Sequence, residues 1–148
     1  MKRTIGLLAL LCLTALPDVA RSETPVPVTG IVMRIGNLTT NDGTVYCDLF
    51  DKAEGFPSES KRAVTRVKVR PQNKQATCVF ADIKAGRYAV AIWHDVDDDR
   101  ELDSNLFGIP SEPVGSSNNA EGSFGPPSFK DAAFDYRPPV LEQTIRLE

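Results

Sequence analysis

The chain has one histidine, one tryptophan and three cysteines in 148 residues, and no window in which apolar residues recur at a helical period. Each scarcity excludes something. A single histidine, His94, leaves no multi-histidine transition-metal site, and it gives a cysteine nucleophile or a serine triad little choice of base. Ser116 and Ser117 have no nucleophile elbow around them. Positive charge is short as well. Lys plus Arg number 17 against 20 Asp plus Glu, a net charge of -3, which is the wrong sign for neutralising phosphates and predicts no nucleic-acid partner. Beyond residue 22 no apolar run is long enough to cross a bilayer. With 11 prolines and 10 glycines as punctuation, a helical bundle is excluded too.

The N-terminus reads as a leader. Lys2 and Arg3 precede an apolar stretch from Ile5 to Leu16, and Ala20 and Ser22 put small residues at the -3 and -1 places of a cleavage site. The expectation is a signal peptide over residues 1–22, with an uncleaved N-terminal anchor as the alternative. Leu10 and Leu11 stand before Cys12 where lipidation needs small residues, so a lipoprotein is rejected. Cleavage removes Lys2, Arg3, Arg21 and Asp18, leaving 14 basic against 19 acidic side chains in 126 residues, a balance of -5. That length suits a single domain, residues 23–148, in the periplasm or outside the cell, with no transmembrane segment.

The remaining chain is read as strands between turn clusters. Val28 to Ile35 aligns Ile31, Met33 and Ile35 on one face, and Thr44 to Phe50 aligns Val45, Cys47 and Leu49 opposite Tyr46 and Asp48. Val64 to Arg70 alternates Thr65, Val67 and Val69 with Arg66, Lys68 and Arg70, a basic stripe that reads as a solvated edge strand guarded by its charges. Ala76, Cys78 and Phe80 continue the alternation. Tyr88 to Trp93 is apolar on both faces, as a central strand should be. Ala132 to Tyr136 and Leu141 to Leu147 complete the set. The expectation is an all-β fold: a Greek-key β-sandwich of about seven strands, transthyretin- or immunoglobulin-like, with one long ordered loop. That loop is Asn105 to Phe129, with Phe107, Ile109, Pro110 and Phe129 as anchors packing it over the acidic stretch described below.

Cys47 and Cys78 both fall on the inward face, and they are the cysteines left once the leader is gone. In an oxidising compartment they predict a disulfide, the alternative being two buried thiols. Gly86 followed by Tyr88 at a strand entry resembles the tyrosine corner of Greek-key sandwiches and the corresponding turn of transthyretin-like and carboxypeptidase-regulatory-like modules. Its role is structural.

Directly after the central strand comes His94-Asp95-Val96-Asp97-Asp98-Asp99-Arg100-Glu101-Leu102-Asp103. So many carboxylates in one loop repel one another unless a cation neutralises them, and oxygen ligands at alternate positions suit a hard divalent ion, calcium first. Asp95, Asp97 and Asp99 take the first, third and fifth places of a calcium loop, Glu101 the seventh, where a backbone carbonyl binds, and Asp103 the ninth. Arg100 stands at the sixth place, where such loops carry glycine, and holding it left-handed costs on the order of 1 to 2 kcal/mol. Leu106 stands at the twelfth, which excludes an EF-hand, so the closing carboxylate must come from elsewhere, with Glu112 the candidate. The metal set is therefore Asp95, Asp97, Asp99, Glu101, Asp103 and Glu112. The alternative is a solvated acidic loop without a specific ion. His94 reads as a structural residue hydrogen-bonded at the strand end.

Taken together, Gly86-x-Tyr88-Ala89-Val90, His94-Asp95, Asp97-x-Asp99-x-x-Leu102-Asp103-x-Asn105, Gly108-Ile109-Pro110-x-Glu112, Gly115-x-Ser117-Asn118-Asn119 and Gly125-Pro126-Pro127-Ser128-Phe129 resemble the signature of a secreted bacterial family, domain of unknown function 2141. The family pattern has Asn at Asp97 and Asp99 and Gly at Arg100, so this loop is the more acidic. The resemblance implies an exported β-sandwich and no particular activity. The expected function is a noncatalytic binding or accessory module with a calcium-binding loop and an extracytoplasmic protein or surface as partner. A metal-dependent hydrolase using His94 and the loop carboxylates, or a carrier of a small apolar ligand, are the alternatives.

Overall fold

A computed structural model of the chain describes residues 29–148. The leader expected over residues 1–22 lies outside the described residues. Eight strands follow in order: β1 (Gly30–Gly36), β2 (Thr44–Phe50), β3 (Thr65–Val69), β4 (Ala76–Phe80), β5 (Gly86–Asp95), β6 (Val114–Ser116), β7 (Phe134–Tyr136) and β8 (Val140–Arg146). They form two sheets. One has the order β4-β1-β8, the other β3-β2-β5-β6 with β7 also paired to β5. β8 runs parallel to β1 and the other pairings are antiparallel. The fold is all-β, as the alternation of side chains predicts.

Alternation explains the core. Ile31, Met33 and Ile35 from β1, Cys78 and Phe80 from β4 and Ile145 from β8 meet Val45, Cys47 and Leu49 from β2 and Val90 and Ile92 from β5 in one buried cluster. Because period-two side chains stand on opposite faces, each strand contributes every second residue to it. Cys47 and Cys78 are joined in a disulfide with their Cα atoms 6.5 Å apart, which ties the centre of one sheet to the edge of the other. Tyr88 donates its hydroxyl proton to the Lys84 carbonyl at 3.1 Å. A Cβ on Gly86 would lie only 3.0 Å from the Tyr88 ring, and that close approach is why a glycine precedes the tyrosine.

The structure departs from the sequence reading in four places. Tyr46 and Asp48, assigned to the outer face of β2, are buried there too. Arg66 of β3, directly across from Asp48, explains this: its Nε and Nη2 reach the two Asp48 carboxylate oxygens at 2.5 and 2.6 Å, and it also bonds Ser60. Arg66 and Lys68 both lie over the Tyr46 ring, which itself stacks on Trp93 with centroids 4.6 Å apart. β3 is an edge strand as expected, but its charges are paired and stacked, not merely solvated. The second departure is β6, three residues long and so too short to show a period. The third is Ala132, which ends a short helix α1 (Phe129–Ala132) and does not begin a strand. Ser128 starts that helix by accepting from the Asp131 amide and donating to the Asp131 carboxylate, a serine-to-acid capping pair. The fourth concerns the long loop. Phe107, Ile109 and Pro110 are exposed instead of covering the acidic stretch, while Phe129 does pack, edge-on against Phe56 at 5.8 Å.

Two outcomes follow. The unreduced protein, denatured, should take up no alkylating reagent at Cys47 or Cys78 and two equivalents after reduction; closing a loop of sequence separation 31 is worth roughly 3 to 4 kcal/mol in the chain-entropy account, so reduction should lower the urea midpoint accordingly. Arg66→Ala leaves the buried Asp48 carboxylate without its partner and should cost roughly 3 kcal/mol of unfolding free energy. A loss below about 0.5 kcal/mol, the scale of an ordinary surface substitution, would contradict the account of this pair.

Candidate functional site

β5 carries the site. Its register with β2 sets Thr44 opposite Asp95 and Val45 opposite His94, so His94 points inward with Val45 while Asp95 ends the strand. His94 is fully buried. Its Nε2 lies 2.7 Å from the Asp42 carbonyl oxygen; since a carbonyl only accepts, Nε2 is the donor. This bond holds the Asn41-Asp42-Gly43 turn against the strand end. Gly43 has φ +74, and a Cβ there would fall 1.9 Å from the Asp95 carbonyl oxygen, so only glycine lets the two segments meet. The hydrogen bond read for His94 at the strand end is present, while its Nδ1 is buried without a partner.

Beyond Asp95 the loop is organised by its own carboxylates. Asp95 Oδ2 accepts from the Arg100 amide at 3.0 Å, Asp97 Oδ1 from Asp99 at 3.3 Å, and Asp99 Oδ1 from Glu101 at 2.8 Å. Short acidic side chains that bond an amide two residues on make successive tight turns. Those turns leave Asp98 and Arg100 with φ of 62 and 71, so Arg100 does take the left-handed geometry that its place in the loop demands. One oxygen from each of Asp95, Asp97 and Asp99 falls within 4.8 Å of the others. Glu101, Asp103 and Glu112 lie outside that group. Asp98 turns away: it accepts from Thr44 Oγ1 at 2.6 Å and pairs with Arg70 at 2.9 Å. The Thr44 hydrogen bond, with Arg70 adding to it, holds the Asp98 carboxyl below the ordinary range.

Glu112 has a different environment. It is buried, with Oε1 accepting from the Val96 amide at 2.7 Å. Burial pushes its pKa up against the pull of the Val96 and Asp103 amides, and the neighbouring charges of Asp95 and Asp103 push the same way. Glu112 Oε2 and Asp95 Oδ1, both buried, have no hydrogen-bond partner. A buried carboxylate oxygen without a donor is costly. Asp95 and Glu112 each leave one such oxygen at the acidic loop, and Asp97 and Asp99, both exposed, add two carboxylates beside Asp95.

The rest of the long connection is held by residues whose roles the sequence does not announce. Ser117 Oγ accepts from the Val90 amide and donates to the Ala132 carbonyl. Asn118 donates to the Ala133 carbonyl at 3.0 Å and exchanges bonds with the Gln143 side chain. Asn119 donates to the Thr144 carbonyl and accepts from the Arg146 amide. The Ser117-Asn118-Asn119 run thereby fastens the loop to β8. Both asparagines have positive φ, 61 and 48, a conformation asparagine tolerates better than most residues; two consecutive Asn before a small residue are the signal that could have flagged it.

Two sheets around one disulfide-bridged core, with a carboxylate-rich loop mounted on the central strand, define the class: an all-β domain whose distinguishing chemistry lies at one strand end. The family described as uncharacterized protein conserved in bacteria, DUF2141, matches over residues 33–143, and the chain belongs to it. No curated protein and no solved structure matches significantly.

The His94 assignment has a direct check. His94→Ala removes a buried hydrogen bond and leaves a cavity, so unfolding free energy should fall by roughly 2 to 4 kcal/mol. Urea unfolding indistinguishable from that of the unaltered protein would remove the structural role.

Proposed function

We propose that the chain is an exported, noncatalytic binding or accessory module, a Greek-key β-sandwich whose acidic loop takes up a calcium ion. The observation that carries the ion is Asp95, a fully buried residue whose Oδ1 has no partner and one of whose oxygens is grouped with oxygens of the exposed Asp97 and Asp99. The residues fit the ion. Asp95, Asp97 and Asp99 would hold it through their carboxylates, Glu101 stands where a backbone carbonyl would add an oxygen, and Asp103 and Glu112, outside that group, would have to close in to complete the shell. An all-oxygen set suits calcium or magnesium over softer metals. An irregular loop closing on a glutamate many residues away suits the adaptable calcium shell better than the strict octahedron of magnesium. The ion would supply charge neutralisation and would stiffen the loop.

The sandwich reading is supported by the core shared between the sheets, the disulfide across it and the Tyr88 bond to Lys84. Export, to the periplasm or beyond, rests on the leader pattern of residues 1–22 and on a cysteine pair suited to an oxidising compartment. A hydrolase built on His94 is disfavoured, since the ring is wholly buried and Nε2 is engaged by Asp42, whereas a general base must reach its substrate. The apolar-carrier alternative finds little support: two open grooves, of about 340 and 230 Å³, are lined mainly by strand-end and loop residues.

Calcium that binds the folded chain alone should stabilise it by about 2.7 kcal/mol at a hundredfold excess over Kd, raising the melting temperature by several degrees over chelator, with magnesium less effective. Asp95→Asn combined with Asp97→Asn should abolish the shift and, by relieving repulsion, leave the chelated variant no less stable than the chelated wild type. Coincident melting curves in calcium and chelator at low ionic strength would refute the calcium reading.

A further inference from the structure

Beyond the acidic loop, residues 103–112 make a hairpin with little to hold it to the domain. The Asn105 amide donates to the Ile109 carbonyl at 2.8 Å, Gly108 to Asn105 at 2.9 Å and Ser111 to Asp103 at 2.9 Å, while Asn105 Oδ1 accepts from Phe107 and Ile109. All of these bonds are internal. Leu106 is 102% exposed, Phe107 87% and Ile109 59%, so burial of apolar side chains does little to fasten the tip. What fastens the hairpin is its foot, where Glu112 Oε1 accepts from the Val96 amide at 2.7 Å and the next residue, Pro113, accepts from the His94 amide at 2.9 Å. The first of these two bonds is under load. Glu112 and Asp95 are both buried, each has one oxygen without a partner, and the charge of Asp95 acts against the ionised Glu112. Two carboxylates held out of water repel each other far more strongly than they would in it. A cation among Asp95, Asp97 and Asp99 removes that repulsion.

We propose that the ion of the acidic loop latches this hairpin: with the ion in place the Asp95 charge is cancelled, Glu112 keeps its hold on the Val96 amide and residues 103–112 stay closed against the end of β5, whereas loss of the ion drives Glu112 away and frees them. The latch rests on the calcium reading above and gives the site a moving part. Coordination by Glu112 Oε2 is not required, because neutralising Asp95 is enough.

The test is brief digestion of the full chain with chymotrypsin, which cuts after exposed aromatic residues, in calcium or chelator, with melting curves taken in parallel. A protease cuts a loop in proportion to its open population. Phe107 reports on the hairpin, and Phe124, 106% exposed in the loop that follows β6, is the reference outside it. Cleavage after Phe107 should be at least about tenfold slower in calcium than in chelator, with cleavage after Phe124 unchanged. In chelator, Glu112→Gln should be cut after Phe107 more slowly than the wild type, since a neutral amide near Asp95 can donate where the carboxylate repels, and calcium should then change little. Asp95→Asn removes the same repulsion from the other side and should act alike. Faster cutting of both variants in chelator is what loss of a purely structural contact would give, and it overturns the latch. A calcium rise in melting temperature with no change at Phe107, or with equal slowing at Phe107 and Phe124, also overturns it and leaves the calcium reading standing. Absence of the rise, with cutting the same in calcium and chelator, sinks the calcium reading and the latch with it.

Discussion

Seven residue pairs between β2 and β5, from Thr44 opposite Asp95 to Phe50 opposite Ala89, set nearly everything else in the molecule. A slip of one residue would turn every side chain of one strand to the other face. Cys47 would then leave the face on which it meets Cys78, Asp48 would leave Arg66, and Val45 would no longer share a side with His94. The register is over-determined at its Thr44 end, where Gly43 admits the Asp95 carbonyl, His94 holds the turn and, two pairs further in, Tyr46 stacks on Trp93. The acidic loop inherits its position from this ladder, since Asp95 is both the last residue of β5 and the first carboxylate of the cluster.

The acids are handled in two ways, and the difference carries the functional argument. Asp48 is buried and answered by a guanidinium, and Asp98 is answered by Thr44 and Arg70. Those two are structural. Asp95 accepts from the Arg100 amide and Glu112 from the Val96 amide, and in each the second oxygen is buried without a hydrogen-bond partner. In water both oxygens would be solvated, so folding removes something here and returns nothing from within the chain. A buried, unpaired carboxylate oxygen calls for a partner from outside the chain, a water or an ion.

Period-two alternation was enough to locate β1, β2, β3, β4 and β8, because each sends one face to a shared core and has the length to show it, and β5 was legible as a run apolar on both faces. β6 and α1 are too short for any period, although Ser128 and Asp131 spelled out the start of the helix. Burial on the second face of β2 was not legible, since it depends on Arg66 reaching across from a strand about twenty residues further on. The acidic cluster was legible as residue types at alternate places, and Asp95, Asp97 and Asp99 do converge. Which carboxylates lose their water was not, because Glu112 owes its burial to the path of the chain after the hairpin. The exposed tip was misread for a plain reason: apolar residues in a loop are usually anchors, and here the hairpin closes on Asn105 before they can turn inward.

Asn119 has a consequence for how the molecule behaves in company. β8 ends its sheet, and an end strand offers bare donors and acceptors that another chain can use as a template. The Asn119 amide occupies the Thr144 carbonyl and the Arg146 amide, presenting there the same donor and acceptor that a neighbouring backbone would present. One side chain thus stands in for a missing strand at that end of β8, where a fourth strand from a second molecule would find those two groups already taken.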